Sequence, residues 1–400
     1  MKILFISHLF PNAGNRNYGI FFAQYLIEME KQGVDITVLV PTVWTPFFLK
    51  YFKKWKNYDH NVKLNDFKGI KAVASPYLRI TGNWFFRWAG LSVFWSLKNK
   101  AKKLHQKNKY DTIYSHMFFP DGDAAVRLSK VLKIPAVCVG IGRDVNIIPN
   151  YNQSIYNRFV KVCNQLDGTI SYGQAVADKI DAISDNHTLS VYGVVDLEKY
   201  SPVDSKTGVR KELGIQEDKV VVLYLSTFKK DKGVYELLEA FKRVHIKNPN
   251  AVLKLCGWGA EKQGMIRYIK ENNLEKVIHM VGIVDHSKVD LWMKACDLFV
   301  LPTYHEGMPN AVMEAMACGL PVLVSAVGGL PDAIGDSEGA VLIPPKDVNI
   351  LEESMINILK DEQVRKKMSR AARVRAEQQF GARKTVSTLI EYLQKVIDRY

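Results

Sequence analysis

Short apolar runs and helical stretches alternate along almost the whole chain, and the alternation starts afresh midway. In the first half the apolar runs fall at residues 3–7, 35–40, 111–115, 136–140, 167–171 and 188–191. Helical spacing separates them, at 21–32 (closed by Gly33), 123–131 and 153–165. A break follows near 192–202. Apolar runs then return at 220–225, 251–256, 277–281, 297–301, 321–325 and 340–343. Val234, Leu237, Leu238, Phe241 and Val244 form one helical stripe between the first two of these, and the tail from 347 to 400 is helical and charged. Parallel strands need a crossover, and a helix is the usual one. The pattern therefore predicts an α/β chain of two similar doubly wound parallel-sheet domains, with a cleft expected between them. The expected divisions are 1–195, 196–378 and a last helical segment at 379–400.

A chain of 400 residues is long enough for two or three cores, and 24% charged residues with 47% apolar ones is ordinary globular composition. The five cysteines show no paired spacing, which fits reduced thiols in a cytoplasmic protein. Residues 1–10 are too short an apolar run for a signal peptide and read as a first buried strand. No run reaches the roughly 18 apolar residues of a membrane span. The net charge of +14 is concentrated: residues 44–110 hold 15 Lys/Arg against 2 Asp/Glu, and five of the seven tryptophans. A local bias of this kind points to a partner surface.

Residues 302–324, PTYHEGMPNAVMEAMACGLPVLV, carry the chemistry most plainly. They read as a strand end, a turn, a helix opening at Pro309, a Gly stop and the next strand. The first-turn N–H groups, around Gly307, Met308, Pro309, Asn310 and Ala311, lack intrahelical partners and make a mouth suited to a phosphate. Glu306 lies at that mouth and Glu314 further along the helix. Together they are placed to hold the sugar and the ribose of a nucleotide-sugar, with the diphosphate between.

Other positions lie at the ends of predicted strands, where open α/β sheets place ligands. Gly19 closes the loop PNAGNRNYG and either admits a ligand or serves the turn. His116 follows the strand at 111–115 and reads either as a sugar or proton contact or as a packed ring. Asp121-Gly122-Asp123 reads as a helix cap rather than a metal-binding DxD. Arg143 and Asp144 follow another strand, as an anion contact and a turn organiser. In STFKKDKG, Lys229, Lys230 and Lys232 oppose a helix macrodipole, a cost that a bound diphosphate offsets, Lys232 foremost. The basic aromatic runs include Lys50, Lys53, Lys54, Trp55, Lys56, Trp84, Arg87 and Trp88. They read as an interfacial surface for an anionic membrane or as core-packed helices with a basic face, ahead of single-stranded nucleic acid.

These residues resemble a known family, the retaining glycosyltransferases of family 4 with the GT-B fold. The likeness is carried by Glu306-x7-Glu314, by DLFVLPTYHEG and ACGLPVLVSAVGGLPDAI around it, and by Gly19, His116, GVVDLEKYSP and Lys232-Gly233. The resemblance implies two Rossmann-like domains facing across a cleft, acceptor-binding first and donor-binding second, with the final helix crossing back. It implies Glu306 at the donor sugar, Glu314 at the ribose, Lys232 and residues 307–311 at the diphosphate, and His116 beside the reacting face. It implies retention at the anomeric carbon without an obligatory metal or other cofactor. Thr227 stands where the family often has Arg, so Lys229 or Lys230 substitutes as a point charge.

The expected activity is hexosyl transfer from a nucleotide-diphosphate sugar to a lipid-linked glycan acceptor, in polysaccharide or cell-envelope synthesis. The expected site is the inner face of the cell membrane, with no nucleic-acid partner. A nucleotide-sugar epimerase of the same fold and a non-catalytic membrane-bound partner of a glycan assembly complex are the alternatives. Donor base, sugar, acceptor and oligomeric state do not follow from the residues.

Overall fold

A computed structural model describes residues 1–11, 19–44, 64, 69–79 and 86–400. It divides into two compact units, Met1–Val191 with Arg383–Tyr400, and Tyr192–Ala382.

The first unit holds seven strands: β1 (Lys2–Ile6), β2 (Asp35–Trp44), β3 (Lys71–Leu78), β4 (Thr112–His116), β5 (Ala136–Gly140), β6 (Gly168–Tyr172) and β7 (Leu189–Val191). Their order is β3-β2-β1-β4-β5-β6-β7, every pair parallel. Central β4, β5 and β6 are buried at every residue, as expected when helices cover both faces of a sheet. The order reverses between β1 and β4, with Ile3 facing Thr112 in register.

The strand β3 is absent from the sequence-based expectation. It pairs with β2 along eight residues, Thr37–Lys71 to Trp44–Leu78. Its burial is partial and it carries Pro76, both features of an edge strand. Those features blur the apolar signal by which the other strands are read. Helix Ala89–Asn108 resolves part of the basic aromatic segment. Val93, Phe94, Leu97 and Ala101 bury one face in the core, while Trp88 and Trp95 are exposed.

Helix Ala382–Arg399 buries Val386, Leu389, Leu393 and Val396, and its residues from Arg383 onward belong to the first unit. The Thr169 N–H donates to Tyr392 Oη at 3.1 Å, and Ser387 Oγ donates to Gln32 Oε1 at 2.8 Å.

The second unit holds β8 (Val220–Leu225), β9 (Ala251–Cys256), β10 (Ile278–Gly282), β11 (Leu298–Leu301), β12 (Val322–Ser325) and β13 (Ala340–Ile343). The order is β10-β9-β8-β11-β12-β13, again all parallel, and it reverses between β8 and β11. Helix Val234–Lys247 sets the predicted stripe into the core, with Val234, Leu237, Leu238, Phe241 and Val244 fully buried. All five cysteines are free and buried. Among the described residues no helix is long and apolar enough to cross a membrane.

Candidate functional site

In an open parallel sheet, the loops leaving the strands on either side of the order reversal splay apart and leave a crevice at the carboxyl ends. In the second unit those loops are 226–233, after β8, and 302–309, after β11. They are the two loops singled out in the sequence.

Glycine makes their close approach possible. Gly233 has φ +68°, and a Cβ there would collide with the Pro302 carbonyl oxygen. Across the same seam Tyr304 N–H donates to Asp231 O at 2.8 Å and Thr303 Oγ1 donates to Asp231 O at 3.2 Å. Gly328 and Gly329 do the same beneath the second loop. A side chain at either would meet the backbone of Glu306 or Gly307, and Gly329 N–H donates to Gly307 O at 2.8 Å. The Val-Gly-Gly turn is thus the floor that holds residues 306 and 307.

On this frame Lys232 Nζ is ion-paired with Glu306 Oε1. Burial pushes the Glu306 carboxyl above its usual range, and the Lys232 charge pulls it partly back. Lys229 and Lys230 are exposed, so only Lys232 of the run turns inward. Helix Asn310–Ala317 begins beside this pair. Pro309 is its N-cap, at φ −74° and ψ 114°, one residue earlier than the expected first helical position. No side chain caps this end, so the first-turn amides stay open to a ligand. Residues 306–311 are all only partly buried.

Glu314 lies one turn into the helix and is 7% exposed. Among the described residues its carboxylate accepts no hydrogen bond within 3.5 Å, and the nearest ring nitrogen, His286 Nε2, is 3.9 Å away. Burial raises its pKa to about 7; the Tyr200 hydroxyl and Lys199 oppose the rise and Asp290 adds to it. Tyr200 lies in the GVVDLEKYSP stretch, whereas His286 and Asp290 carry no sequence pattern that marks them. Trp258 and Ile283, both largely exposed, stand just beyond the carboxyl ends of β9 and β10.

In the first unit the order reversal lies between β1 and β4, and His116 is the last residue of β4. It is 2% exposed, edge-on to Phe22, with Nε2 3.4 Å from Tyr172 Oη and Nδ1 without a partner among the described residues. Burial, then the nearby His8, hold its pKa well below the usual range, so the ring is neutral. Gly19 has φ +70° at the start of helix Ile20–Lys31, and a Cβ would collide with Leu9 O. The fold itself therefore requires glycine there.

The Asp-Gly-Asp stretch is not a cap. Gly122 holds the cap position without a side-chain bond. Asp123 is ion-paired with Arg127 at 3.1 Å and with Arg158. Asp121 accepts from His8 instead, at 2.6 Å from Nδ1 and 3.0 Å from the backbone N–H. Caps are set by local spacing, whereas the pairs with His8 and Arg158 cross between elements. Asp144 organises its turn, accepting from Phe118 N, Ile141 N and Gly142 N at 2.9–3.1 Å, and Arg143 points outward. Arg87 lies over the Trp88 ring at 5.0 Å and Lys98 over Trp95 at 4.6 Å. Lys50, Lys53, Lys54, Trp55, Lys56 and Trp84 lie outside the described residues.

Two parallel-sheet α/β units in series, with 7 and 6 strands, define the GT-B fold. Solved structures bear this out over the whole chain. Sucrose-phosphate synthase from Thermosynechococcus elongatus aligns over 100% of both chains at a TM-score of 0.78 and 20% identity. Anabaena Alr3699/HepE in complex with UDP aligns over 99% of this chain and 100% of its own, at 0.75 and 18%.

Residues 205–375, most of the second unit, match the family Glycosyl transferases group 1. A putative teichuronic acid biosynthesis glycosyltransferase, TuaC of Bacillus subtilis (strain 168), is 29% identical over 361 residues, covering 89% of this chain and 88% of that one. The N-acetyl-alpha-D-glucosaminyl L-malate synthase of Bacillus anthracis is 26% identical over 296 residues, covering 73% and 76%.

Proposed function

We propose that the protein transfers a hexose from a nucleoside-diphosphate sugar to a lipid-linked glycan acceptor in cell-envelope polysaccharide synthesis, with retention at the anomeric carbon. The observation that carries the donor reading is the second unit's carboxyl-end crevice. There Lys232, uncapped helix amides and two acids, Glu306 and Glu314, stand in the order that a sugar, a diphosphate and a ribose require.

Glu314 takes the ribose hydroxyls, since its buried carboxylate is short of donors. The amides of Gly307, Met308, Asn310 and Ala311 and the Lys232 ammonium take the diphosphate, with Lys229 at the exposed edge. As the sugar–phosphate bond breaks, negative charge grows on the leaving diphosphate, and these same groups meet it. Such a cradle supplies the charge compensation that other transferases draw from a metal, which supports metal-independent chemistry. Phosphate displaces Glu306 from Lys232, and Glu306 then turns to the sugar. His116, buried beneath Phe22 in the first unit, takes no part in this donor reading.

The cell-envelope reading draws on the Bacillus subtilis relative, and the nucleotide on neighbours solved with UDP and UDP-glucose. The lipid reading draws on exposed Trp88 and Trp95, each with a cation over its ring, on a helix bearing five lysines and no acid. Such a face suits an anionic membrane, in keeping with a peripheral protein on its cytoplasmic side.

Glu306→Gln tests the assignment. Release of nucleoside diphosphate from a panel of nucleotide-sugars is expected to fall by about 10²-fold or more, the scale on which groups aimed at transition-state charge act. Unchanged turnover would remove Glu306 from the chemistry. Conversion of the sugar to an isomer without transfer would mark an epimerase.

A further inference from the structure

We infer that the first unit binds the phosphate of a lipid-linked acceptor with two arginines, Arg143 and Arg87, which the fold brings to one turn at Tyr151 and Ser154. This rests on the acceptor reading above and adds to it the anionic group by which the acceptor is recognised.

Arg143 lies just beyond the carboxyl end of β5, the end at which an open parallel sheet receives ligands. Its turn is held from within. Asp144 is fully buried and accepts from the amides of Phe118 and Ile141 at 2.9 Å and of Gly142 at 3.1 Å. That carboxylate is committed to backbone, and Arg143 beside it is exposed. Arg143 Nη2 is 3.5 Å from Tyr151 Oη, and among the described residues the guanidinium pairs with no carboxylate.

Arg87 reaches the same turn from the start of helix Ala89–Asn108. Its Nη1 is 3.5 Å from Ser154 Oγ. Phe86, its neighbour in the chain, packs on Tyr151 with ring centroids 6.3 Å apart. Glycine permits this approach, since a Cβ on Gly90 would run into the Asp123 carboxylate. Asp123 in turn is taken by Arg127 and Arg158. Residues 86–108 contain no Asp or Glu, and residues 141–153 contain only the buried Asp144. Two guanidinium groups therefore meet at a turn whose own segments supply no exposed carboxylate. The planar fork of each matches the oxygens of a phosphate.

The apolar surroundings favour a phosphate carried on a lipid over a free one. Trp88 is 51% exposed, with the Arg87 guanidinium 5.0 Å over its ring. Ile147 is 48% exposed and lies one turn past Arg143, to whose carbonyl its amide donates at 3.0 Å. A free phosphate gains nothing from these neighbours. A lipid phosphate sets its charge on the arginines and its first carbons against Trp88 and Ile147. Trp88 belongs to the face assigned above to the membrane, and an aromatic ring in such a face sits at the depth of the lipid phosphates.

The test uses the full chain in neutral-detergent micelles with saturating UDP, which occupies the proposed donor crevice. Farnesyl diphosphate, farnesol and inorganic diphosphate are titrated in turn by calorimetry. Farnesyl diphosphate is expected to bind about tenfold or more tightly than either of the others, and Arg143→Ala to lose about tenfold or more of that affinity, the scale of one hydrogen bond to a charged group. Arg143→Lys, which keeps the charge without the fork, is expected to fall between. The double variant Arg143→Ala with Arg87→Ala should lose binding altogether. Melting temperature and UDP-glucose affinity in Arg143→Ala should match wild type, because the side chain is exposed. Unchanged farnesyl diphosphate affinity in Arg143→Ala would overturn the inference. So would farnesol binding as tightly, which marks an apolar contact only, or inorganic diphosphate binding as tightly, which marks a site for free phosphate. A wild-type chain that binds UDP-glucose but not farnesyl diphosphate overturns this inference alone, and one that binds farnesyl diphosphate but not UDP-glucose overturns the donor reading alone.

Discussion

If Glu314 takes the ribose as proposed, donor binding depends on pH in a way that can be worked out in advance. In the free protein its pKa stands at about 7, raised mainly by burial. Ribose hydroxyls donate to a carboxylate, so the ionised form is the one that binds. The apparent affinity is the intrinsic affinity reduced by the ionised fraction. That fraction is about nine-tenths at pH 8 and about one-tenth at pH 6, so affinity should fall about tenfold between them, or about 1.4 kcal/mol. UDP-glucose is the ligand to use, because its diphosphate is a diester and does not itself titrate near neutrality. Calorimetry at pH 6, 7 and 8 gives the slope.

The same group must leave a mark on stability, and its sign is fixed. A carboxyl whose folded pKa lies above its unfolded value near 4.5 adds stability that is fully present below pH 4.5. That stability is lost as pH rises through about 7. The shift corresponds to about 3 kcal/mol at most. Wild type should therefore gain on Glu314→Gln as pH falls from 8 to 5, when melting temperatures are compared pairwise. The variant, which cannot titrate there, should also show a flat binding profile. Parallel pH slopes for wild type and variant, in binding and in melting, would refute the reasoning.

Other outcomes follow from the same geometry. Lys232→Ala removes the proposed diphosphate contact and strands the Glu306 carboxylate in a largely buried place. UDP-glucose affinity should drop at least tenfold and stability by about 2–4 kcal/mol, whereas Lys229→Ala and Lys230→Ala, at exposed positions, should stay within about 0.5 kcal/mol of wild type in urea unfolding. Gly233→Ala forces a side chain at φ +68° into the Pro302 carbonyl and should cost at least about 2 kcal/mol, again by denaturant titration. Replacing Trp88 and Trp95 together by Ala should release the protein from vesicles containing anionic lipid while leaving its melting temperature within a few degrees; co-sedimentation is the assay.

The arrangement of the second unit's two loops was legible in the sequence and the first unit's His8–Asp121 pair was not, and the difference has a physical origin. In the second unit the constraint is local. A strand end, a turn, an uncapped helix start and an acid on that helix follow one another within residues 302–314, so their spacing alone displays the candidate site. Only the partner loop at 226–233 had to be brought in by the fold, and its inward lysine announced itself by opposing a helix dipole. In the first unit the bonded pair His8 and Asp121 is 113 residues apart, and neither residue sits in a run that spacing can interpret. Asp121 beside Asp123 reads as a cap because capping is what nearby sequence explains best; the partners that claim both acids come from β1's loop and from helices Asp123–Leu132 and Gln153–Cys163. His116 was visible because it ends a strand, but by the same criterion His8, just beyond β1, was visible too. What decides between them is which ring is covered by Phe22 and which faces outward on a buried carboxylate, and only packing sets that.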